Sequence, residues 1–197
     1  MAHKETLEVD VPVDSRIYTG MPIVISGPLG VGKSTIGEKI AKKMGVPFYD
    51  IDNLITKKVG MKTTREIIEK KGRPYFWEVE NMCLKETFLK KKGKYVFAFG
   101  GTICNPANPH MKLNQFLTKK YAFNICLIPS PNLNETVRIL WPRHENSKRA
   151  TVGSSHRLQS YLKLRIPEFR NSADRIIYTY EASIEKIVDT ILKLLKQ

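Results

Sequence analysis

The chain has 197 residues, with 33 Lys and Arg against 19 Asp and Glu for a formal charge of +14, and hydrophobic, charged and aromatic shares of 42%, 26% and 9%. These figures suit one globular domain with a sizeable core and exclude long disorder, a collagen-like chain or a repeat array. No run approaches the roughly 18 apolar residues that cross a bilayer, and the opening MAHKETLEVD has no apolar core of a secretory signal, so neither is expected.

Residues 1–20 are weakly patterned and read as an N-terminal extension ahead of a domain over 21–197. Ile23–Ser26 is the first strand, and it runs directly into Gly27-Pro28-Leu29-Gly30-Val31-Gly32-Lys33-Ser34-Thr35. That is G-x-x-x-x-G-K-[ST] between a buried strand and an amphipathic helix whose Ile36, Ile40, Ala41 and Met44 share a face. Gly27, Gly30 and Gly32 let backbone N–H groups, Val31 included, converge on a phosphate, and the helix N-terminus adds its dipole. Lys33 is placed to reach the β- and γ-phosphates, and Ser34, followed by Thr35, to ligate Mg²⁺.

The second strand, Pro47–Ile51, closes on Asp50 and Asp52. Alternation along a strand sends both acids to one side, where one could serve a metal and the other a substrate hydroxyl; a helix N-cap is the plain alternative for either, and Asp52 could do both jobs. Thr63-Thr64-Arg65-Glu66 has capping-box spacing and opens a helix toward Lys71, and Phe76, Met82, Cys83 and Phe88 lie near one face of the next. A third strand, Tyr95–Phe99, ends in Gly100-Gly101, either a close approach to ligand or a turn. Further strands fall at Ala122–Ile128 and Arg175–Thr179, and a last amphipathic helix at Ile184–Lys196. Between them, residues 141–156 are polar, basic and poor in core residues, and read as a mobile lid carrying Arg143, Lys148 and Arg149.

Strands alternating with helices imply a mostly parallel sheet between helix layers. Cys83, Cys104 and Cys126 are odd in number and widely spaced, which favours a reduced, cytoplasmic setting over disulfides or a metal site. Lys42-Lys43, Lys57-Lys58, Lys70-Lys71 and Lys90–Lys92 each sit just before a glycine. Cations beside a left-handed cap mark helix ends, so the charge reads as helix punctuation; a nucleic-acid partner is not expected.

Taken together, these residues resemble the shikimate kinase family from about Pro22 to Leu195. The likeness rests on Gly32–Gly37, the stretch Met44–Asp52, Gly72 with Phe76 and Glu80, Gly100-Gly101, Leu162-x-x-Arg165-x-Pro167 and Ala173–Ile177. The resemblance implies a three-layer P-loop kinase fold with a five-stranded parallel sheet, ATP and Mg²⁺ as cofactors, and phosphorylation of the shikimate 3-hydroxyl. It assigns phosphate to Lys33 and Mg²⁺ to Ser34 and Asp50. Asp52 takes the acceptor hydroxyls and is a candidate base, Gly100 and Gly101 line the acceptor pocket, Arg165 grips a carboxylate, and Arg149 is the lid arginine. A monomer acting on a small-molecule acceptor is expected, with no membrane or nucleic acid involved.

Three positions depart from the family pattern. Trp77 replaces an arginine that binds the substrate carboxylate, Thr102 replaces a third glycine, and Ala150 replaces the proline after the lid arginine. Losing one guanidinium partner removes about 1.5–3 kcal/mol of charged hydrogen bonding. Trp77 therefore borders an altered acceptor site, and Arg73 is a candidate substitute clamp that the sequence alone does not establish. The acceptor is either shikimate or another hydroxylated compound. The alternative class is a catalytically impaired nucleotide-binding regulator or interaction module.

Overall fold

In a computed structural model, which describes residues 7–145 and 153–196, the strand Ile23–Ser26 (β2) is buried along its whole length. It occupies the middle of a six-stranded sheet of order β1-β6-β5-β2-β4-β3. The others are Val9–Asp10 (β1), Phe48–Asp50 (β3), Val96–Ala98 (β4), Phe123–Ile128 (β5) and Arg175–Tyr178 (β6). All pairings from β3 through β6 are parallel, with Ile25 opposite both Ala98 and Ile125. Strands buried on both faces read as continuous Val, Ile and Phe runs, and so they do here.

The expected five parallel strands are all present. The sixth, β1, comes from the N-terminal segment and pairs antiparallel with β6, Val9 opposite Ile177. Two residues are too short to raise a periodic signal. Arg16 fastens the same segment: its Nε and Nη2 reach the two carboxylate oxygens of Asp174 at 2.9 and 2.6 Å.

Helices cover both faces. Lys33–Met44 (α1), Leu133–Glu145 (α5), Ser155–Ser172 (α6) and Ile184–Leu194 (α7) pack Ile36, Ile40, Leu140, Leu158, Leu162, Ile187 and Ile191 against Ile25, Phe123, Ile125 and Leu127. Ile51–Val59 (α2), Thr64–Lys90 (α3) and Met111–Tyr121 (α4) cover the other face, with Ile55, Ile67, Phe76, Phe88 and Leu117 near Val24, Phe97 and Phe99. Phe76, Cys83 and Phe88 are buried as expected, whereas Met82 is 46% exposed and lies on the outer side of α3. Among the described residues no helix is long and apolar enough to cross a membrane.

Helix ends follow the lysine–glycine pattern. Gly45 and Gly60 are left-handed C-caps after Lys42-Lys43 and Lys57-Lys58. Gly72, at φ 83° and ψ 163°, breaks α3 after Lys70-Lys71, and Arg73 and Pro74 start its second segment. Gly93 instead follows two non-helical residues, because α3 ends at Lys90 with Lys91 extended. The Thr63 hydroxyl caps α3 by accepting from Glu66 N at 3.1 Å, but the Glu66 carboxylate reaches back to Lys62 N rather than to Thr63.

The expected lid needs partial correction. Trp141–Glu145 completes α5 with His144 2% exposed, and Ser154 caps α6, so both ends of the 141–156 stretch are helix rather than loop, the first of them packed. A string of polar and charged residues is what made this turn read as irregular. Lys148, Arg149 and Ala150 lie outside the described residues.

Candidate active site

Ligands of open parallel sheets gather at the carboxyl ends of strands where the chain reverses its order across the sheet. Here that point is the end of β2, which leads to β3 and β4 on one side and later to β5 and β6 on the other. The loop after it carries Gly27, Gly30 and Gly32 at φ 135°, 83° and 100°. At Gly27 a Cβ would stand 2.2 Å from the Leu127 carbonyl oxygen, so only glycine lets β2 turn this close to β5. Gly32 is the N-cap of α1 with no side-chain cap, leaving the first N–H groups of that helix turned toward the loop.

Lys33 extends back into this loop and donates to the Pro28 carbonyl at 2.8 Å. Its ammonium is buried, and burial lowers its pKa to about 8 although Asp52 and Asp50 pull the other way. The Ser34 hydroxyl donates to Asp50 Oδ2 at 2.5 Å. Val31 is buried among the apolar residues under the loop, and Thr35 lies exposed at the start of α1. Among the described residues no three His, Cys, Asp or Glu side chains gather into a metal cluster. The Ser34–Asp50 pair, one hydroxyl and one carboxylate, instead suits Mg²⁺ that keeps most of its ligands from phosphate and water.

The two acids reach the loop by a different route from strand alternation. β3 ends at Asp50, which is the N-cap of α2 and accepts from Asp52 N at 2.9 Å. Asp52 therefore stands in the first turn of α2. Capping, foreseen for either acid, falls to Asp50, and both carboxylates lie near enough to Lys33 for their charge to favour its protonated form.

Beside the loop opens a cavity of about 590 Å³, bounded by Leu29 of the loop itself, Asp52, Trp77, Gly101, Thr102 and Arg165. Asp52 and Arg165 thus face one space. Gly100 lies behind this wall: a Cβ there would stand 3.3 Å from Glu80 Oε1 and 3.4 Å from Asp52 Oδ1. Arg165 is 7% exposed, donates to the Gly101 carbonyl at 3.0 Å, and stacks 3.7 Å above the Tyr161 ring. Burial lowers its pKa, and the positive charge of Arg73 lowers it further. Trp77 forms a cavity wall, and its indole N–H is buried without a hydrogen-bond partner among the described residues. Arg170 stands elsewhere, donating to the Tyr178 hydroxyl at 2.6 Å.

Several contacts escape the sequence reading, which names Glu80, Thr102 and Arg143 but not what they touch, and does not name Asn108, Tyr161 or His144. Glu80 is fully buried; Thr102 donates to its Oε1 and Asn108 to its Oε2, the latter at 3.1 Å. Burial pushes its pKa up to about 8 against these hydrogen bonds. Thr102 thus has work that glycine in its place could not do. Tyr161 was signalled only by its i, i+4 spacing to Arg165 on α6. From α5, Arg143 donates to the Gly30 carbonyl at 3.2 Å and His144 Nε2 lies 3.0 Å from the Leu29 carbonyl. No motif flags His144.

A phosphate loop at the sheet's reversal point, opening sideways onto a walled cavity with its own acid and guanidinium, is the architecture of a P-loop kinase for small molecules. The comparisons make the class specific. The family model "Shikimate kinase" matches residues 29–196. A shikimate kinase of Enterococcus faecalis is 30% identical over 176 residues, spanning 89% of this chain and 98% of the relative. One from Thermoanaerobacter pseudethanolicus is 27% identical over 172 residues, 87% and 94% of the two chains. Among solved structures, the shikimate kinase of Acinetobacter baumannii in complex with shikimate superposes with a TM-score of 0.77 at 27% identity, covering 91% of this chain and 94% of that one. A gluconokinase of Sinorhizobium meliloti, at TM-score 0.54 and 19% identity, shares the fold alone. The chain belongs to the shikimate kinase family, and so to the ATP-dependent phosphotransferases with an alcohol acceptor.

Proposed function

We propose that the protein transfers the γ-phosphate of Mg-ATP to a hydroxyl of shikimate or a closely related hydroxylated acid. The supporting observation is a shared wall. Leu29 belongs to the phosphate loop and also lines the acceptor cavity, and a Cβ on Gly101 across the cavity would lie 3.7 Å from Leu29 N. A hydroxyl held at Asp52 is thereby next to the loop's phosphate end, which is the in-line positioning that phosphoryl transfer needs.

In this reading the loop amides and Lys33 bind the β- and γ-phosphates, Lys33 leaving the Pro28 carbonyl to do so. Ser34 and Asp50 hold Mg²⁺, which when bound screens charge on the phosphates. Asp52 accepts the acceptor's hydroxyl proton or orients that hydroxyl. Arg165 pairs with its carboxylate, Gly100 leaves room for the two acids beside it, and Arg149 supplies the cation from the lid.

The test is steady-state ADP release with and without millimolar shikimate. Acceleration by shikimate that vanishes in Lys33→Ala supports the reading. Stabilisation by Mg-ATP without transfer to shikimate or any related hydroxy acid would replace it with a nucleotide-binding protein.

A further inference from the structure

Three consecutive carbonyls of the phosphate loop are each held by a side chain. Pro28 accepts from Lys33 Nζ at 2.8 Å, Leu29 from His144 Nε2 at 3.0 Å and Gly30 from Arg143 Nη1 at 3.2 Å. A carbonyl oxygen has no proton to give, so the His144 ring carries its proton on Nε2 and donates. The last turn of α5 also touches the loop directly. A Cβ on Gly30 would stand 3.5 Å from His144 Nε2 and 3.8 Å from Arg143 Cβ.

The three braces are not alike. In the kinase reading Lys33 leaves Pro28 for the phosphates, so that brace is gone once nucleotide arrives. Arg143 is exposed, and water competes for its bond to Gly30. His144 is 2% exposed; burial lowers its pKa against the Leu29 hydrogen bond, and the Lys33 charge lowers it further. It is a neutral donor, with no charge to draw it toward an anion. The peptide unit between Leu29 and Gly30 is planar and trans, so its carbonyl and its N–H point opposite ways. Holding the Leu29 oxygen against α5 turns the Gly30 N–H away from that helix and fixes its direction. Leu29 is also the residue that the loop shares with the acceptor cavity.

We propose that His144 is a positioning residue for nucleotide: its Nε2–H latches the Leu29 carbonyl, so that the Gly30 N–H is already aimed when the phosphates arrive. Without the latch this peptide unit is free to rotate, and binding has to order it. The imidazole acts through the loop backbone, so its loss should show in nucleotide affinity rather than in turnover at saturation. The proposal rests on the nucleotide-binding half of the kinase reading, and separate measurements of binding and transfer distinguish the two.

Mg-ATP and Mg-ADP are titrated calorimetrically into the full-length protein as wild type, His144→Phe and His144→Gln, with ADP release in the presence of shikimate followed alongside. Phenylalanine keeps a ring and removes the donor, whereas glutamine places an amide N–H at similar reach. His144→Phe should weaken both nucleotides about 5- to 30-fold and raise the KM for ATP by a like factor. Its kcat at saturating nucleotide should stay within about threefold of wild type, and His144→Gln should recover most of the affinity. Affinity within about twofold of wild type in His144→Phe would overturn the latch. So would equal losses in the two variants, because packing alone then explains the effect. Nitrogen NMR of the imidazole needs no variant and serves if His144→Phe fails to fold. It should find the proton on Nε2 at pH 7, and a proton on Nδ1 instead would overturn the latch. Donor-dependent loss of nucleotide without transfer to any hydroxy acid would leave the latch standing and remove the kinase reading. Transfer by the wild type with unchanged affinity in both variants would do the reverse, and no nucleotide binding by the wild type would remove both.

Discussion

Burial displaces the titration of both Lys33 and Glu80, and each displacement has a consequence that titration can read. With its pKa lowered to about 8, the Lys33 ammonium is half neutral at that pH, whereas a bound phosphate favours the charged form. Nucleotide binding at pH 8 should therefore draw in about half a proton, and affinity should decline as pH rises further. Calorimetry in buffers of different ionisation heat measures the uptake; the same uptake in Lys33→Met would assign it to another group. Glu80 works in the opposite sense. The folded protein keeps its proton up to about pH 8, while the unfolded chain releases it near 4.5. Between those values the unfolded state binds fewer protons, so this group makes stability fall as pH rises and level off above 8. Urea unfolding at pH 5, 6.5 and 8 should show a shallower decline for Glu80→Gln than for the wild type, and parallel profiles would refute the assignment. The glycine–lysine–serine loop announces itself in sequence because the residue types are dictated by a phosphate's size and charge. Glu80 does not, because its state depends on Thr102 and Asn108 from a distant turn.

At the scale of elements, the lysine–glycine stops and the runs of buried residues were legible because both are local. Three features were not. The two-residue strand β1 is defined by its partner rather than by its own pattern. The last turn of α5 looked like loop because a string of polar and charged residues obscures His144, a buried residue there that touches the phosphate loop. Asp50 and Asp52 have the right spacing for a strand face and for a helix start, and only the fold decides between them. The arm that contributes β1 also offers a measurable energy. Asp174 is nearly buried and receives Arg16 and the Asn124 N–H. Arg16→Ala leaves that carboxylate without its cation and should cost about 3 kcal/mol, near the lower limit for breaking a buried pair. Chemical denaturation measures this, and a cost under about 0.5 kcal/mol would show the arm to be unimportant to stability.

For the molecule as a whole, the charge of +14 is divided between two uses. Part of it marks helix ends, as at Lys42-Lys43 before Gly45, and forms exposed pairs such as Lys39–Glu185 and Lys43–Asp189 that tie α1 to α7. The remainder includes cations around the cavity beside the phosphate loop, such as Arg73 and Arg165, that have no ion-paired acid among the described residues, and these give an anionic small molecule a favourable approach. The mostly parallel sheet and its helix layers followed from the alternation of strands and helices, whereas the strand order is read only from the structure. The shape of the cavity did not, as its walls come from α2, both sides of the α3 break, the turn after β4, and α6. The pairing of Val9 with Ile177 has a further bearing on how the chain is made. Val9 must wait for Ile177, far later in the chain, before its strand has a neighbour, so an emerging chain cannot close this border of its sheet until Ile177 has left the ribosome.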